Sequence, residues 1–209
     1  IGFAEAMTMQ TFGSLNDQYV SYSNDIMNAG RHLLHLINDI LDVAVLESGK
    51  IQLETSNVSL NEVIESALKL VVLGADNKDI DTSAVKIDDD QDIFVDQRRA
   101  TQVFVNLMGN AVKFTPEGGS LGIRTDRVAE DIIGITVWDT GIGIPPDQQD
   151  LVFEKFHQDR GYIYSRKEEG TGLGLHISKH LAKQMGGDIL LKSKVGEGSQ
   201  FTVLLPLAK

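Results

Sequence analysis

Tyr19, Ile26, Leu33 and Ile40 recur every seven residues, and Tyr22, Ala29, Leu36 and Val43 repeat at the same period three positions on. This is an a/d seam, and a seam asks for a second helix of matching pattern. Asn16 or Asp17 can cap the helix, and Gly49 can stop it just past Glu47. A shorter helical stretch, residues 1–10, precedes it and ends near Gly13-Ser14. Burial inside a monomer is the ordinary alternative. The chain offers little else for so long a helix to pack on, which favours a homodimeric four-helix bundle with two helices from each subunit.

Beyond Gly49 the periodicity changes. Residues 50–55 alternate as a brief strand, and a helix is expected from Leu60 to Leu73. Further strands are expected at 93–95, 121–128, 132–139, 188–193 and 200–205, with helices at 96–114, 146–151 and 173–185. Gly196-Glu-Gly198 marks a hairpin turn between the last two strands. Residues 156–170 are polar and show no period, the pattern of a mobile loop. The expected fold class is α+β, with a helical hairpin over 1–49 followed by an α/β sandwich over 50–209.

Charge and composition narrow the function. The chain carries 19 Lys and Arg against 30 Asp and Glu, a formal net charge of -11. Such a balance repels phosphate backbones, so nucleic acid is not an expected partner. Any nucleotide site must therefore gather a metal ion or local positive charge. Cysteine is absent, which excludes disulfides and thiolate metal centres. No apolar run approaches the roughly 18 residues that cross a bilayer. Membrane contact by this chain is not expected, and a cytoplasmic location is, although a membrane anchor elsewhere in the parent protein stays open.

Three motifs carry chemistry. On the helix at 96–114, Asn106, Asn110 and Lys113 stand at i, i+4 and i+7, so they share one face. Their neighbours Val103, Phe104, Val105, Leu107, Met108, Ala111 and Val112 are apolar. Polar groups on a buried helix need partners: two amide oxygens suit Mg2+ and an ammonium suits phosphate. An internal hydrogen-bond network is the alternative. Next, an apolar strand runs into Asp139 and a turn containing Gly141 and Gly143. A carboxylate there can accept from an exocyclic amine, and the glycines would let a ring approach the backbone. A plain β-turn is the alternative. Last, Gly170-Thr171-Gly172-Leu173-Gly174-Leu opens a helix, where backbone N–H groups cradle anions.

In order and spacing these motifs resemble sensor histidine kinases. Asn106-Leu-Met-Gly-Asn110-Ala-Val-Lys113-Phe-Thr is similar to their N box, Asp139-Thr-Gly141-Ile-Gly143-Ile to their first glycine box, and Phe153-Glu-Lys-Phe156 to their F box. Gly170-Thr-Gly172-Leu-Gly174-Leu resembles the second glycine box, and Gly196-Glu-Gly198-Ser199 the terminal hairpin turn. Asn38-Asp-Ile-Leu-Asp42, then Glu47-Ser-Gly-Lys50, looks like the end of the dimerisation helix. The resemblance implies the GHKL (Bergerat) ATP-binding sandwich and the cofactors ATP and Mg2+. It places adenine against Asp139, Gly141 and Gly143, with Asn106 and Asn110 on metal and phosphates and Lys113 on phosphate. Phe156, Arg166, Gly170, Thr171, Gly172, Leu173 and Gly174 would line or close the nucleotide site. It further implies homodimerisation through the helices and a response-regulator receiver domain as partner.

The family's hydrolases carry Glu where Asn106 stands, and an amide cannot take a proton from water. That favours phosphoryl transfer to an already competent imidazole. None of His32, His35, His157, His176 or His180 has the sequence context of the family's phosphoacceptor. The resemblance puts that histidine about ten residues before Ile1, so this chain is not expected to phosphorylate itself. His176 and His180 have metal-pair spacing, but without a third ligand they read as a helix-face pair. A GHKL-type ATPase module and a nucleotide-binding pseudokinase scaffold are the alternatives.

Overall fold

The computed structural model describes residues 1–47, 52–87, 90–157 and 171–208. The chain divides into two compact units, Ile1–Ser48 and Gly49–Lys209.

The first unit is a hairpin of α1 (Gly2–Thr8) and α2 (Asp17–Glu47). Asn16 accepts from the Tyr19 N–H through its side chain at 2.9 Å and starts α2. Glu5 pairs with Arg31 at 3.6 Å, and the Thr8 hydroxyl donates to Asn24 at 3.3 Å. The short arm therefore covers only the first half of α2. Tyr19, Ile26, Leu33 and Ile40, the leading residues of the heptad, stay 53–61% exposed within a single chain.

In the second unit five strands form one sheet in the order β2-β4-β5-β7-β6: β2 (Asp81–Ala84), β4 (Ser120–Ala129), β5 (Ile132–Asp139), β6 (Asp188–Lys194) and β7 (Gly198–Pro206). Only the β2–β4 pair is parallel. A separate two-stranded sheet pairs β1 (Ser56–Ser59) with β3 (Asp92–Val95). Alternation sends Leu121, Ile123, Ile133, Ile135, Val137, Ile189, Phe201, Val203 and Leu205 into the core. Three helices supply the opposite layer: α3 (Leu60–Asp76), α4 (Gln97–Phe114) and α5 (Gly174–Gln184). Their apolar stripes, such as Val63, Ile64 and Ala67 on α3 and Val103, Phe104, Leu107 and Met108 on α4, are fully buried. The result is a two-layer sandwich.

Helix entry follows side-chain chemistry. Ser59 accepts from Glu62 N–H at 3.2 Å and opens α3 in the Ser-x-x-Glu pattern. Asp96 opens α4: one carboxylate oxygen accepts from Arg99 N–H at 3.1 Å, the other from Glu54 N–H at 3.2 Å. Asp96→Ala removes the cap and orphans Glu54, so we expect a loss of about 1.5 kcal/mol. In a thermal melt that is a fall of about 4 °C, and an unchanged midpoint would contradict it.

Several expected elements differ. Residues 52–55 form no strand, and 50–51 lie outside the described residues. The alternation of Ile51, Leu53 and Thr55 leads into β1, which begins at Ser56. The helix expected at 146–151 is two 3-10 turns, Pro146–Gln148 and Leu151–Phe153. Strand β2 was not expected at all, since Asp-Thr-Ser-Ala carries no apolar alternation. The stretch expected to be a mobile loop, 156–170, lies outside the described residues from 158 onward.

Candidate nucleotide site

The end of the central strand β5 brings the second and third motifs toward α4. Asp139 closes β5, opposite Leu121 at the start of β4, and Trp138 faces Gln200 near the start of β7. Asp139 is 9% exposed. Its Oδ1 accepts two backbone N–H bonds, from Gly141 at 2.8 Å and Ser199 at 3.2 Å. Both fall on one oxygen, and among the described residues no protein donor reaches Oδ2, which leaves its lone pairs to an incoming donor. Burial raises the Asp139 pKa above its ordinary value, against the opposing pull of these two amides.

The turn after Asp139 is held against two neighbours. Ile142 N–H donates to the Phe114 carbonyl at 3.2 Å, which ties the turn to the end of α4. Gly143 has φ +70, and a Cβ there would fall on the Lys194 carbonyl. A Cβ on Gly141 would come 2.7 Å from both Asp139 Oδ1 and the Phe114 carbonyl oxygen. Beside the expected room for a ligand ring, these glycines have a second role in the packing of the protein itself. What crowds them is the protein's own backbone, and their absent side chains let strand, helix and hairpin converge.

Helix α4 presents its polar face beside the start of α5. Asn106 donates through Nδ2 to the Ser178 hydroxyl at 2.8 Å, which directs its Oδ1 toward Gly174. A Cβ on Gly174 would collide with that oxygen. One turn later the half-buried Asn110 amide has no protein hydrogen-bond partner among the described residues. The Lys113 ammonium lies 5.1 Å from the Phe114 ring centroid. At the end of α4, Lys78 donates to the carbonyls of Val112 and Lys113 at 3.1 and 2.8 Å. A cation on the last carbonyls steadies the turn that carries Lys113. The face is less enclosed than its sequence suggested, because Val105 is half-buried while the other apolar neighbours are buried.

Of the second glycine motif, Thr171, Gly172, Leu173 and Gly174 are described, whereas Gly170 and Arg166 lie outside the described residues. Thr171 accepts from Leu173 N–H at 3.0 Å, and Leu173 is buried. Phe156 is exposed, with φ +59, and donates its N–H to the Gly172 carbonyl at 3.1 Å. His176 and His180 are helix-face residues: His176 contacts the Phe153 carbonyl at 3.0 Å and His180 contacts Gln184 at 3.2 Å. Burial, with smaller help from His176, Lys183 and Lys155, lowers the His180 pKa. Among the described residues no group of three His, Cys, Asp or Glu could hold a metal.

Chemically, the arrangement offers one buried carboxylate for a donor, two amides and an ammonium along one helix face, and a glycine-rich helix start. Hard oxygen donors of this kind fit Mg2+ when phosphate oxygens complete its shell. The missing side chain at Gly174 lets the start of α5 pack directly against the Asn106 amide. Residues 95–209 match the family described as histidine kinase-, DNA gyrase B- and HSP90-like ATPases. This chain belongs to that family. It is 38% identical over 208 residues to the circadian input-output histidine kinase CikA of Synechococcus elongatus, covering 99% of this chain and 27% of that protein. Full-length ShkA in complex with AMPPNP superposes with a TM-score of 0.78 at 29% identity, over 99% of this chain and 42% of that one. Histidine kinase ThkA in complex with the response regulator TrrA gives 0.70 at 25% identity, over 99% and 56%. The chain spans between a tenth and two fifths of the length of these curated relatives.

Sequence reasoning did not single out Ser178, Ser193, Gln149 or the Ser199 amide. The hairpin motif placed Ser199 near the site, but its bond to Asp139 joins residues sixty apart and follows only from sheet register.

Proposed function

We propose that this chain is the catalytic core of a histidine kinase that binds Mg-ATP between α4, the end of β5 and the start of α5. In the whole protein it delivers the γ-phosphoryl group to a histidine, from which a response-regulator receiver domain collects it on an aspartate. Bound ATP supplies the transferable phosphoryl group. Asp139 accepts from the adenine amine, Asn106 and Asn110 hold Mg2+ and phosphate oxygens, and Lys113 offsets phosphate charge. Thr171, Gly172, Leu173 and Gly174 shape the start of α5 toward the phosphates. Gly170, Arg166 and Phe156 belong to the segment proposed to cover the nucleotide. The exposed heptad face of α2 supports a homodimer.

The observation that carries this reading is the polar face of α4, with the Asn106 amide turned by Ser178 and Asn110 open beside it. An amide in place of a carboxylate cannot deprotonate water, so the site suits transfer to an imidazole rather than hydrolysis. Calorimetric titration of the chain with ATP is expected to show binding that weakens at least about tenfold when Mg2+ is chelated, as loss of a metal-bridged contact of about 1.4 kcal/mol requires. No heat under either condition would sink the reading. ATP consumption continuing with water as acceptor would favour an ATPase instead.

A further inference from the structure

Ser193 on the edge strand β6 sits where three backbone segments meet. Its hydroxyl oxygen accepts from Ile144 N–H at 2.8 Å and donates to the Gly198 carbonyl at 2.9 Å. Ser199, its cross-strand partner, places a hydroxyl 3.0 Å away. A hydroxyl has one proton and two lone pairs. With its proton on Gly198, Ser193 accepts from both Ile144 and Ser199, and its capacity is filled. Gln149 joins the same segments, donating to the carbonyls of Ile144 at 3.0 Å and Ser193 at 2.9 Å. Gly196 N–H adds a bond to the Ile142 carbonyl at 2.8 Å. Next to this junction, Ser199 N–H donates to Asp139 Oδ1.

We propose that Ser193 is a positioning residue for base recognition, holding the Ser199 amide and the 142–144 turn in fixed register around Asp139. The proposal rests on the reading of Asp139 as the group that meets the base. An ionised carboxylate only accepts hydrogen bonds. A purine with an amine at its six-position donates to it, whereas a purine with a carbonyl there sets acceptor against acceptor. That discrimination depends on where Oδ2 is aimed, and the two amides on Oδ1 do the aiming. One of those amides belongs to the hairpin that Ser193 pins. Removing the hydroxyl leaves the Ile144 N–H, the Gly198 carbonyl and the Ser199 hydroxyl each short of a partner, which the segments relieve by shifting or admitting water.

The test is calorimetric titration of the chain with Mg-ATP and with Mg-GTP, for the unmodified protein, Ser193→Ala and Ser193→Thr. The unmodified chain is expected to prefer ATP. Ser193→Ala is expected to lose about tenfold in ATP affinity while GTP affinity moves less than about twofold, so the preference narrows about tenfold. Ser193→Thr, which keeps the hydroxyl, is expected to restore most of it. A purely structural serine would lower the melting temperature and leave the ATP-to-GTP ratio where it was, and that result overturns the proposal. Should Ser193→Ala fail to fold, Gln149→Ala cuts the other bonds between the same segments. A narrowed ratio there supports the proposal, and an unchanged one overturns it. If the unmodified chain binds neither nucleotide, or both alike, the Asp139 reading falls and takes this one with it. If it prefers ATP and Ser193→Ala keeps the full preference, only the role of Ser193 falls.

Discussion

Asp139→Asn is expected to weaken ATP binding by about 100-fold or more while leaving the melting temperature unchanged or slightly raised. The substitution is isosteric, and its geometry can be worked out. Two backbone N–H groups, from Gly141 and Ser199, point at one oxygen of residue 139. An asparagine amide must turn its carbonyl oxygen to them, which swings its NH2 toward the ligand. A donor then faces the adenine amine, also a donor. Losing a charge-assisted hydrogen bond of about 3 kcal/mol accounts for the factor. Stability does not follow affinity downward, because a neutral amide avoids the cost of burying charge that raises the Asp139 pKa.

The pH dependence separates the two effects. With its folded pKa raised above the ordinary 3.8, Asp139 binds more protons in the folded chain than in the unfolded one across that interval. Its contribution to the ligand-free fold is therefore fully present below 3.8 and is lost as pH rises through the raised value. ATP binding runs the other way: it needs the carboxylate and falls as pH drops through the raised value. Titrations carried downward in pH from neutrality should show this fall in the unmodified protein and not in Asp139→Asn. A variant that bound ATP normally would remove Asp139 from the site.

Gly198→Ala is the second large effect, expected to lower stability by about 3 kcal/mol and the melting temperature by about 10 °C. Gly198 has φ +93, a region costly for any side chain, and a Cβ there would land on the Asp139 carbonyl oxygen. Neither neighbour can yield cheaply. One side is the end of the central strand and the other is the first residue of β7. The hairpin must back away, and the Ser199 amide leaves Asp139 with it. The variant should therefore lose nucleotide affinity together with stability, which thermal melts and titrations measure separately. An alanine that left the midpoint in place would mean that the hairpin does not approach β5 this closely.

Where a residue's role comes from its immediate neighbours in sequence, it was legible beforehand. The i, i+4, i+7 spacing of Asn106, Asn110 and Lys113 fixes a helix face, and the apolar run ending at Asp139 fixes a strand end. The core strands and the three large helices of the sandwich follow from the same periodicities, with no end shifted by more than three residues. What stayed hidden depends on register between distant segments. Ser178 turns Asn106 from seventy-two residues away, and Ser193 meets Ser199 only because β6 and β7 pair in one particular frame. Serines carry no periodic signal, so nothing local marked these two. The polar strand β2 was missed for a related reason: it exists because Asp81 and Ala84 find parallel partners on β4, and not because its own residues favour a strand.

The sixty-residue reach between the Ser199 amide and Asp139 also bears on how the protein assembles. Hairpins β4–β5 and β6–β7 can each close locally, but the carboxylate is oriented only after β5 has zipped against β7. Nucleotide thus recognises a chain that has completed its most non-local strand pairing. Held at a hundred times its dissociation constant, it would deepen the native well by about 2.7 kcal/mol. In a cell with abundant nucleotide, occupancy would act as a seal on finished molecules.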